Sequence, residues 1–540
     1  MSGGRFARVQ ARRGGGAVAA LVLALTAPAA AVAQERTFGD VVREVTSRPE
    51  YRHSEFGVAI WDLDANRLLY GLNEQRLFTP ASTTKLVTEG TALKLLGPDY
   101  RFHTKVYRTG PVEGGVLKGD LVLVASGDPN LSNRIQPDGT LAFTDEDHAY
   151  DGNVDTKAVP GDPLAVLREL AQHVAGKGIR RVTGHVRVDA SLFPEGAKDL
   201  GTGLTISPIE VNDNVVDVSI APGAAVGAPV TLQVSPATAY VRFVNQATTS
   251  VADSAAEIHW ASDVANADGS HTVTVTGHMP LGKPTILFAY GVPDATRFAE
   301  VAFAQALRDA GVQATPPSPA AGGVALTKQV AAPYVEGDVV AEHVSPPLSE
   351  DVKVTLKVSQ NLHASTMPYV VGAVLAHKRE DAEQAGFDLE RDFLTRAGLD
   401  LSGAGQGDGA GGAQSAFFTP DFMVHYLAYM ATQPEYPLFL KALPILGVDG
   451  TLWNIQTASP AKGHVFAKTG TFTAWDNLNK RSLLTGKGLA GYITTADGHH
   501  VAFALYANRV PLTPELKGGA TWVGQALGEI AAAAYLLPIR

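Results

Sequence analysis

The stretch Pro80-Ala81-Ser82-Thr83-Thr84-Lys85-Leu86 introduces a run of leucines at helical spacing that ends at Gly97-Pro98. These leucines are Leu86, Leu93 and Leu96. Their spacing places them on one face of a helix, and Gly-Pro is a typical helix stop. Ser82 would open this helix, and Lys85 would follow three residues later on the same face, close enough to touch it. The pattern predicts a serine–lysine pair beside the unpaired N–H groups of a helix N-terminus. An ordinary serine N-cap next to a solvated lysine is the alternative.

Two β-hairpins are predicted on either side of this helix, one near each end of the chain. The first joins residues 56–62 to 68–70 through a polar turn, and the second joins 489–494 to 501–506 through Asp497-Gly498. Helical patterns follow residue 290, at 295–310, 358–377, 387–397 and 521–535. We therefore expect one discontinuous α/β (α+β) domain made of residues 34–99 and 291–540.

Residues 100–290 have a different character, because short β-rich runs dominate there and only one clear helix, 163–175, interrupts them. This predicts a β-rich insertion of one or two domains between the two parts of the first domain. Within it, residues 132–162 form a long polar stretch with seven acidic side chains. We expect this stretch to be a solvated surface loop.

The first 33 residues are typical of an export signal. Four arginines precede the apolar stretch 17–25, which is followed by Ala31-Val32-Ala33, a pattern that signal peptidases cut. The apolar stretch is short for a membrane anchor, which is the alternative. No later segment has eighteen uninterrupted apolar residues, so no stable membrane span is predicted. We expect an exported protein, in the periplasm or in an extracellular, cell-wall-associated location.

Composition excludes several classes of protein. The chain has 540 residues, of which 45% are hydrophobic and 18% charged, and this balance is typical of a folded globular protein. Its net charge of −10 argues against non-specific binding of nucleic acid. The chain has no cysteine, which excludes disulfides, thiolate catalysis and cysteine-ligated metals. Its 15 histidines include no His-Glu-x-x-His, and we predict no metal and no cofactor. The oligomeric state stays open.

Two further motifs follow the serine–lysine pair, and they are Ser359-Gln360-Asn361 and Lys468-Thr469-Gly470. Each of the three is weak alone; Ser459-Pro460-Ala461-Lys462, for example, also fits Ser-x-x-Lys but lies in a polar segment without periodicity. Residues around Lys468 are predicted to form a strand, in which Gly470 would allow a ligand or another backbone to approach closely. The order and the contexts of the three motifs match the signature of serine penicillin-recognising enzymes.

The chemistry of the three motifs also agrees. A serine hydroxyl such as that of Ser82 needs a base within hydrogen-bond reach, and Lys85 can be that base if burial or a second cation lowers its pKa. Lys468 is the candidate for the second cation. Ser359 can relay a proton to a leaving amine, and Asn361 can hold both the lysine and the substrate amide.

The rest of the predicted site binds the substrate. The backbone N–H groups of Ser82 and Thr471 are candidates for an oxyanion hole. Lys468, Thr469 and Thr471 suit a terminal carboxylate.

With these residues the chain resembles the class C low-molecular-mass penicillin-binding proteins, the peptidase S13 family of D-alanyl-D-alanine carboxypeptidases/endopeptidases. The resemblance covers most of residues 54–510, and it is close over 447–452 and 466–471. It implies a serine β-lactamase/transpeptidase-like domain, which has an antiparallel sheet with helices on both faces and a helical subdomain. It also implies cleavage of D-Ala-D-Ala bonds in peptidoglycan stem peptides through an acyl-Ser82 intermediate, with β-lactams as covalent inhibitors.

The resemblance implies substrate-binding roles for Thr469, Gly470, Thr471 and Asp189. In relatives the position of Asp189 is linked to binding the far end of the stem peptide, and a structural turn carboxylate is the alternative for this residue.

The sequence departs from the family pattern at two places. Residues 408–414 lack the serine, leucine and arginine that are usual there. In addition, about ten extra residues lie between Thr473 and Leu489. They include Trp475, Asn477 and Arg481, which are candidates for the rim of the site. The altered segment 408–414 keeps one other function open, a non-catalytic peptidoglycan-binding protein. A β-lactamase or esterase of the same superfamily is a second alternative, but nothing in the chain resembles the deacylating glutamate loop of class A β-lactamases, and the chain is far too long for one.

Overall fold

The computed structural model describes residues 36–150, 152–318, 334–513, 516 and 518–539. The predicted signal peptide, residues 1–33, lies outside these residues. Within the described ranges, none of the helices combines the length and the apolarity that crossing a membrane requires.

The helices, in chain order, are α1 (Phe38–Thr46), α2 (Lys85–Leu95), α3 (Ala165–Gly176), α4 (Ala295–Asp309), α5 (Leu348–Val358), α6 (Asn361–Leu375), α7 (Ala382–Arg396), α8 (Pro420–Ala431), α9 (Tyr436–Ala442) and α10 (Ala520–Leu536). The strands, in chain order, are β1 (Glu55–Asp62), β2 (Arg67–Leu72), β3 (His103–Arg108), β4 (Val112–Glu113), β5 (Val116–Leu117), β6 (Leu121–Val124), β7 (Arg181–Val182), β8 (Val186–Asp189), β9 (Val215–Ala221), β10 (Thr231–Ser235), β11 (Val241–Asn245), β12 (Thr248–Ser250), β13 (Glu257–Ala265), β14 (His271–Pro280), β15 (Ile286–Gly291), β16 (Val339–Val344), β17 (Ala404–Gly405), β18 (Phe417–Phe418), β19 (Val465–Asp476), β20 (Arg481–Thr494) and β21 (His500–Pro511).

The two ends of the chain meet in one antiparallel sheet of order β19-β20-β21-β1-β2. Val58 of β1 pairs with Leu505 of β21 on one side and with Leu72 of β2 on the other. Both predicted hairpins are confirmed, because β1–β2 and β20–β21 cover the two predicted strand pairs. Residues from opposite ends of the sequence therefore share one hydrogen-bonded layer.

Helices cover both faces of this five-stranded sheet. Side chains alternate along a strand, so Ala59 and Ala504 pack into the core that contains α8, whereas Val58 and Leu505 pack into the core that contains α1 and α10. The predicted antiparallel sheet with helices on both faces is confirmed.

A group of helices packs beside the sheet and encloses α2. Helix α2 contacts both α5 and α6, and α6 contacts α7. The last contact depends on glycine, because a Cβ on Gly372 would lie 1.8 Å from the carbonyl oxygen of Ala382 and one on Gly386 would lie 2.0 Å from that of Pro368. Helix α2 is buried along most of its length as a result.

Further sheets occupy the region between α2 and α5. One has the order β16-β3-β6-β8 and packs against α3 and α4. Two others, β10-β9-β15 and β11-β14-β12 with β13 paired to β14, share a small core that includes Val218, Ile220, Val275 and Met279. The division of the chain into domains stays a prediction. A boundary at residue 290 would separate β16 from β3, with which it pairs, and α4 from β8, against which it packs.

The prediction of a solvated loop at residues 132–162 was wrong for several of its charged residues. Arg134, Asp147 and His148 are 2%, 1% and 4% exposed. Arg134 donates to the carboxylates of Asp147 and of Asp213 at 2.6 Å each, and the second of these lies 79 residues further along the chain. Charges are buried here because they pair with each other, and composition alone does not show such pairing.

Candidate active site

Ser82 and Lys85 lie together at the start of α2, as predicted. Ser82 is part of the 3₁₀ turn Ala81–Thr84, which runs directly into α2 at Lys85. The Nζ of Lys85 donates to the Oγ of Ser82 at 2.9 Å, and the lysine side chain is fully buried. The alternative of a solvated lysine beside a capping serine is therefore wrong.

The second motif lies in the break between α5 and α6. Helix α5 ends at Val358, Ser359 has a left-handed backbone with φ +65°, and α6 begins at Asn361. This reversal brings both polar side chains to the lysines: the Oδ1 of Asn361 accepts from Lys85 Nζ at 2.5 Å, and the Oγ of Ser359 accepts from Lys468 Nζ at 2.8 Å.

The third motif lies on β19, one of the two edge strands of the five-stranded sheet. A Cβ on Gly470 would lie 2.4 Å from the carbonyl oxygen of Pro80 and 3.2 Å from the backbone nitrogen of Ser82. Only glycine therefore lets the strand approach the serine turn this closely, which confirms the predicted close contact at this position. The approach also brings Lys468, which is fully buried, to the second motif.

Burial is the main influence on the basicity of these lysines. It lowers the pKa of Lys85 to about 8, and three nearby carboxyl groups oppose the shift. The carboxyl groups belong to Asp199, Asp408 and Glu89. Burial also lowers the pKa of Lys468 well below its usual value, and the positive charges of Lys85 and Lys487 add to this effect. The result meets the condition set out from the sequence, that a lysine base needs burial or a second cation.

A cleft of about 530 Å³ opens over the three motifs. Ser82, Ser359, Asn361, Thr469 and Thr471 all line it. The Oγ1 of Thr469 donates to that of Thr451 at 2.7 Å, so the hydroxyl groups form part of a polar floor. Three acidic residues of the 132–162 stretch line the cleft as well, and they are Asp145, Glu146 and Asp147.

Asp189 lies apart from this cleft. It is the last residue of β8, is 8% exposed, and is not among the residues that line the cleft. Its carboxylate accepts a hydrogen bond from the backbone N–H of Ser191 at 2.9 Å and another from the hydroxyl of Tyr334 at 2.6 Å. These contacts agree with the structural turn carboxylate that was the alternative. A role in binding the stem peptide stays a prediction.

The divergent segment 408–414 lies directly against the serine–lysine pair. The carbonyl oxygen of Ala410 accepts from Lys85 Nζ at 3.2 Å, and a Cβ on Gly411 would lie 2.1 Å from the carbonyl oxygen of Ala81. Asp408 stabilises the turn by accepting from the backbone N–H groups of Gly411 and Gly412. Ala410, which stands where the family pattern has serine, therefore contacts the serine–lysine pair through its carbonyl oxygen.

The extra residues after Thr473 extend the β19–β20 hairpin instead of lining the cleft. Trp475 pairs with Ser482 across the hairpin and is 61% exposed, and Arg481 forms an ion pair with Asp476 at 3.4 Å. Of the hairpin residues beyond Gly470, those that reach the cleft are Thr471, Phe472, Thr473, Lys487, Gly488 and Leu489.

Sequence reasoning missed the buried charges that support the second motif. We call them the Asp213 network, and its members are Arg134, Asp147, His148, Asp213, Asp217, Asp351 and His363. The side chain of Gln360 donates to Asp147 at 3.2 Å and to Asp213 at 3.3 Å, and the hydroxyl of Tyr150 donates to the carbonyl oxygen of Ser359. The unusual acidity of residues 132–162 was the available signal.

One part of this network has the composition of a metal site, namely Asp147, His148 and Asp213. Its oxygen atoms already accept from protein groups, because Arg134 donates to both carboxylates and His148 Nε2 lies 2.6 Å from Asp213 Oδ2. A guanidinium in the centre of the group is incompatible with a bound cation, so the donor set fits ion pairing better than metal binding.

Comparison with known proteins places this geometry in context. A family model described as the D-Ala-D-Ala carboxypeptidase 3 (S13) family matches residues 40–519. The D-alanyl-D-alanine carboxypeptidase of an Actinomadura species is 28% identical over 473 residues, which make up 84% of this chain and 77% of that protein. The D-alanyl-D-alanine carboxypeptidase DacB of Haemophilus influenzae is 24% identical over 485 residues, 87% of this chain and 89% of that protein.

Solved structures agree on the fold. The crystal structure of penicillin binding protein 4 from Haemophilus influenzae has a TM-score of 0.68 and 19% identity, and the match covers 92% of this chain and 98% of that one. A second structure of the same protein, complexed with a β-lactam, has a TM-score of 0.66 and 21% identity over 92% of this chain and 99% of that one. The predicted fold class is confirmed by this likeness.

Proposed function

Because the chain belongs to the D-Ala-D-Ala carboxypeptidase 3 (S13) family, we propose that it is an exported serine peptidase that cleaves D-Ala-D-Ala bonds of peptidoglycan stem peptides through an acyl-Ser82 intermediate. One observation carries the proposal: a fully buried lysine with a pKa of about 8 is hydrogen-bonded to the serine at 2.9 Å. A serine next to such a base is an activated nucleophile.

Acylation uses the residues of the three motifs in turn. Neutral Lys85 takes the proton of the Ser82 hydroxyl, and Oγ attacks the carbonyl carbon of the penultimate D-Ala. The backbone N–H groups of Ser82 and Thr471 stabilise the resulting oxyanion. The C–N bond then breaks, and the proton passes from Lys85 through Ser359 to the departing amine, which leaves an ester between the peptide and Ser82.

Deacylation reverses the proton path with water in place of the amine. The water molecule gives a proton to the lysine system and attacks the ester carbonyl, and the serine oxygen recovers its proton as the shortened peptide departs. Asn361 supports both steps, because its Oδ1 holds Lys85 Nζ at 2.5 Å and its side chain lines the cleft.

The proposed substrate and location follow from relatives and from the N-terminal pattern. Two relatives carry the name D-alanyl-D-alanine carboxypeptidase, and the crystal structure of a fold neighbour holds a β-lactam. Peptidoglycan lies outside the cytoplasm, which agrees with the export signal in residues 1–33. We propose β-lactams as covalent inhibitors that acylate the same serine.

Labelling with a fluorescent penicillin tests the mechanism. The wild-type protein should form a covalent adduct that intact-mass spectrometry and peptide mapping place on Ser82, and Ser82→Ala should form none. Ser459→Ala is the matched control, since Ser459 opens the other Ser-x-x-Lys of the chain, and its labelling should equal that of the wild type. An adduct that survives Ser82→Ala, or a wild type that is never labelled, would refute the acyl-serine mechanism.

Digestion of purified sacculi tests the substrate. Release of terminal D-Ala would identify carboxypeptidase activity, and conversion of cross-linked dimers to monomers would identify endopeptidase activity. Binding to sacculi without either product would support a non-catalytic wall-binding protein instead, and rapid turnover of nitrocefin would support a β-lactamase.

A further inference from the structure

Lys487 is a buried cation of the cleft that belongs to none of the three motifs. It lies on β20 directly opposite Thr471 of β19, is 9% exposed and lines the cleft. Its Nζ donates to the Oγ1 of Thr471 at 2.6 Å, and it forms no ion pair with any residue that the structure describes. An ammonium group has three N–H donors, so this side chain has capacity for a further acceptor.

The packing around Lys487 directs its amine toward the cleft. Helix α10 passes close to it, because a Cβ on Gly524 would lie 3.4 Å from Lys487 Cε and 3.7 Å from its Nζ. Burial lowers the pKa of Lys487 to about 8. A buried ammonium without a carboxylate is costly unless an anion from outside the protein completes its environment.

The other cation at this end of the cleft is already engaged. Lys468 Nζ donates to Ser359 Oγ and to the carbonyl oxygen of Thr469, at 2.8 Å each. Thr469 and Thr471 line the same cleft. The Thr471 hydroxyl accepts from Lys487 and so keeps its own proton to donate, whereas that of Thr469 already donates to Thr451. The Thr471 hydroxyl and the Lys487 ammonium together make a suitable pair of donors for a carboxylate.

We propose that Lys487 binds the terminal carboxylate of the substrate and thereby makes the protein selective for peptides that end in a free acid. The inference rests on the proposed function, because it concerns the substrate of that same cleft. It adds a specificity-determining residue from outside the three motifs, which reaches the cleft only through the register of β19 and β20.

Paired substrates that differ in one group test the proposal. Wild type and Lys487→Met are assayed with an N-acyl-D-Ala-D-Ala peptide and with its C-terminal carboxamide. Loss of a charge-assisted hydrogen bond should lower kcat/KM for the acid by about 10- to 100-fold and leave that for the carboxamide within about threefold. Lys487→Arg, which keeps the charge, should retain most of the preference for the acid.

Two further variants control for charge and folding. Lys480→Met removes a lysine from the exposed end of the same hairpin, and it should leave the preference for the acid unchanged. Lys487→Gln keeps a donor for Thr471 and serves as a second neutral variant if the methionine variant does not fold. Acylation by benzylpenicillin and by its methyl ester gives an independent readout of the same selectivity.

The outcomes separate this inference from the function on which it rests. If the wild type is acylated at Ser82 and cleaves the peptide, but both neutral variants keep the full preference for the acid, the inference is wrong and the proposed function stands. Equal loss with both substrates would also overturn it, because that result indicates a structural role. A wild type that reacts with neither peptide nor penicillin refutes the proposed function, and the inference with it.

Discussion

The cleft and the Asp213 network both bury charged side chains, but only the network pairs them. Lys487 lines the cleft, and Lys85 and Lys468 contact serines that line it; none of the three lysines forms an ion pair among the residues that the structure describes. In the network, Asp213 alone meets Arg134 at 2.6 Å and the two histidines at 2.6 and 3.0 Å.

Whether a buried charged group has an oppositely charged partner decides how its pKa shifts. Burial lowers the pKa of each cleft lysine. Burial would likewise raise the pKa of Asp213, but Arg134 and the histidines hold it well below its usual value. The unpaired lysines therefore have pKa values closer to neutral pH, as proton transfer in catalysis requires. The paired groups of the Asp213 network keep their charges and hold the second motif in place.

Removal of the lysine base should have the largest effect. Lys85→Met should lower the rate constant of acylation by about 10⁴-fold, because a serine without its base is a poor nucleophile. Its thermal stability should change little, because the loss of the hydrogen bonds from Lys85 to Ser82, Asn361 and Ala410 is offset by removal of a buried amine that has no ion pair. Stopped-flow labelling with a fluorescent penicillin and thermal unfolding measure the two quantities.

The matched control is Lys94→Met. Lys94 lies on the same helix but pairs with Glu435 at 2.8 Å, away from the cleft, so its loss should leave acylation unchanged. If Lys85→Met were acylated within tenfold of the wild type, the lysine would not be the base.

Breaking the network should cost stability instead. Asp213→Asn leaves Arg134, His148 and His363 buried without their common carboxylate, and we expect a loss of about 3–5 kcal/mol in the free energy of unfolding. Urea denaturation measures this loss. The control is Asp309→Asn, which breaks the exposed pair with Arg168 and should cost at most about 1 kcal/mol. A similar small cost at Asp213 would mean that pairing does not stabilise the network.

A smaller effect should follow from the pKa of Lys85. Its neutral form is the base, and with a pKa of about 8 the neutral fraction rises by about tenfold between pH 7 and pH 9. Acylation should therefore accelerate as the pH rises through 8 and level off above it. A penicillin methyl ester is the suitable reagent, because it has no carboxylate for Lys487 to bind. A rate that is flat or falls over this range would assign the base to another group.

Local patterns predicted much of the architecture. The two hairpins, the helix after Ser82 and the strand around Lys468 depend on periodicity and turn residues that lie within a few positions of each other. Each was found where the pattern placed it, although the strands of the β19–β20 hairpin are longer than the alternation indicated.

Burial of polar residues was not predictable in the same way. Arg134 looks like a solvated side chain in an acidic stretch, and its partner Asp213 lies 79 residues away. Lys487 has no motif around it, and only its register opposite Thr471 brings it into the cleft. Hydropathy assigns such residues to the surface because it takes no account of distant partners.

The sequence by itself determined the order of the three motifs and the contact of Ser82 with Lys85, because residues three apart at the start of a helix must lie close together. Tertiary structure alone decided the contacts of Lys85 with Asn361, 276 residues away, and of Lys468 with Ser359, 109 residues away. It also decided the pKa of each lysine, since the cost of burying a charge depends on every group that surrounds it and not on its neighbours in the chain.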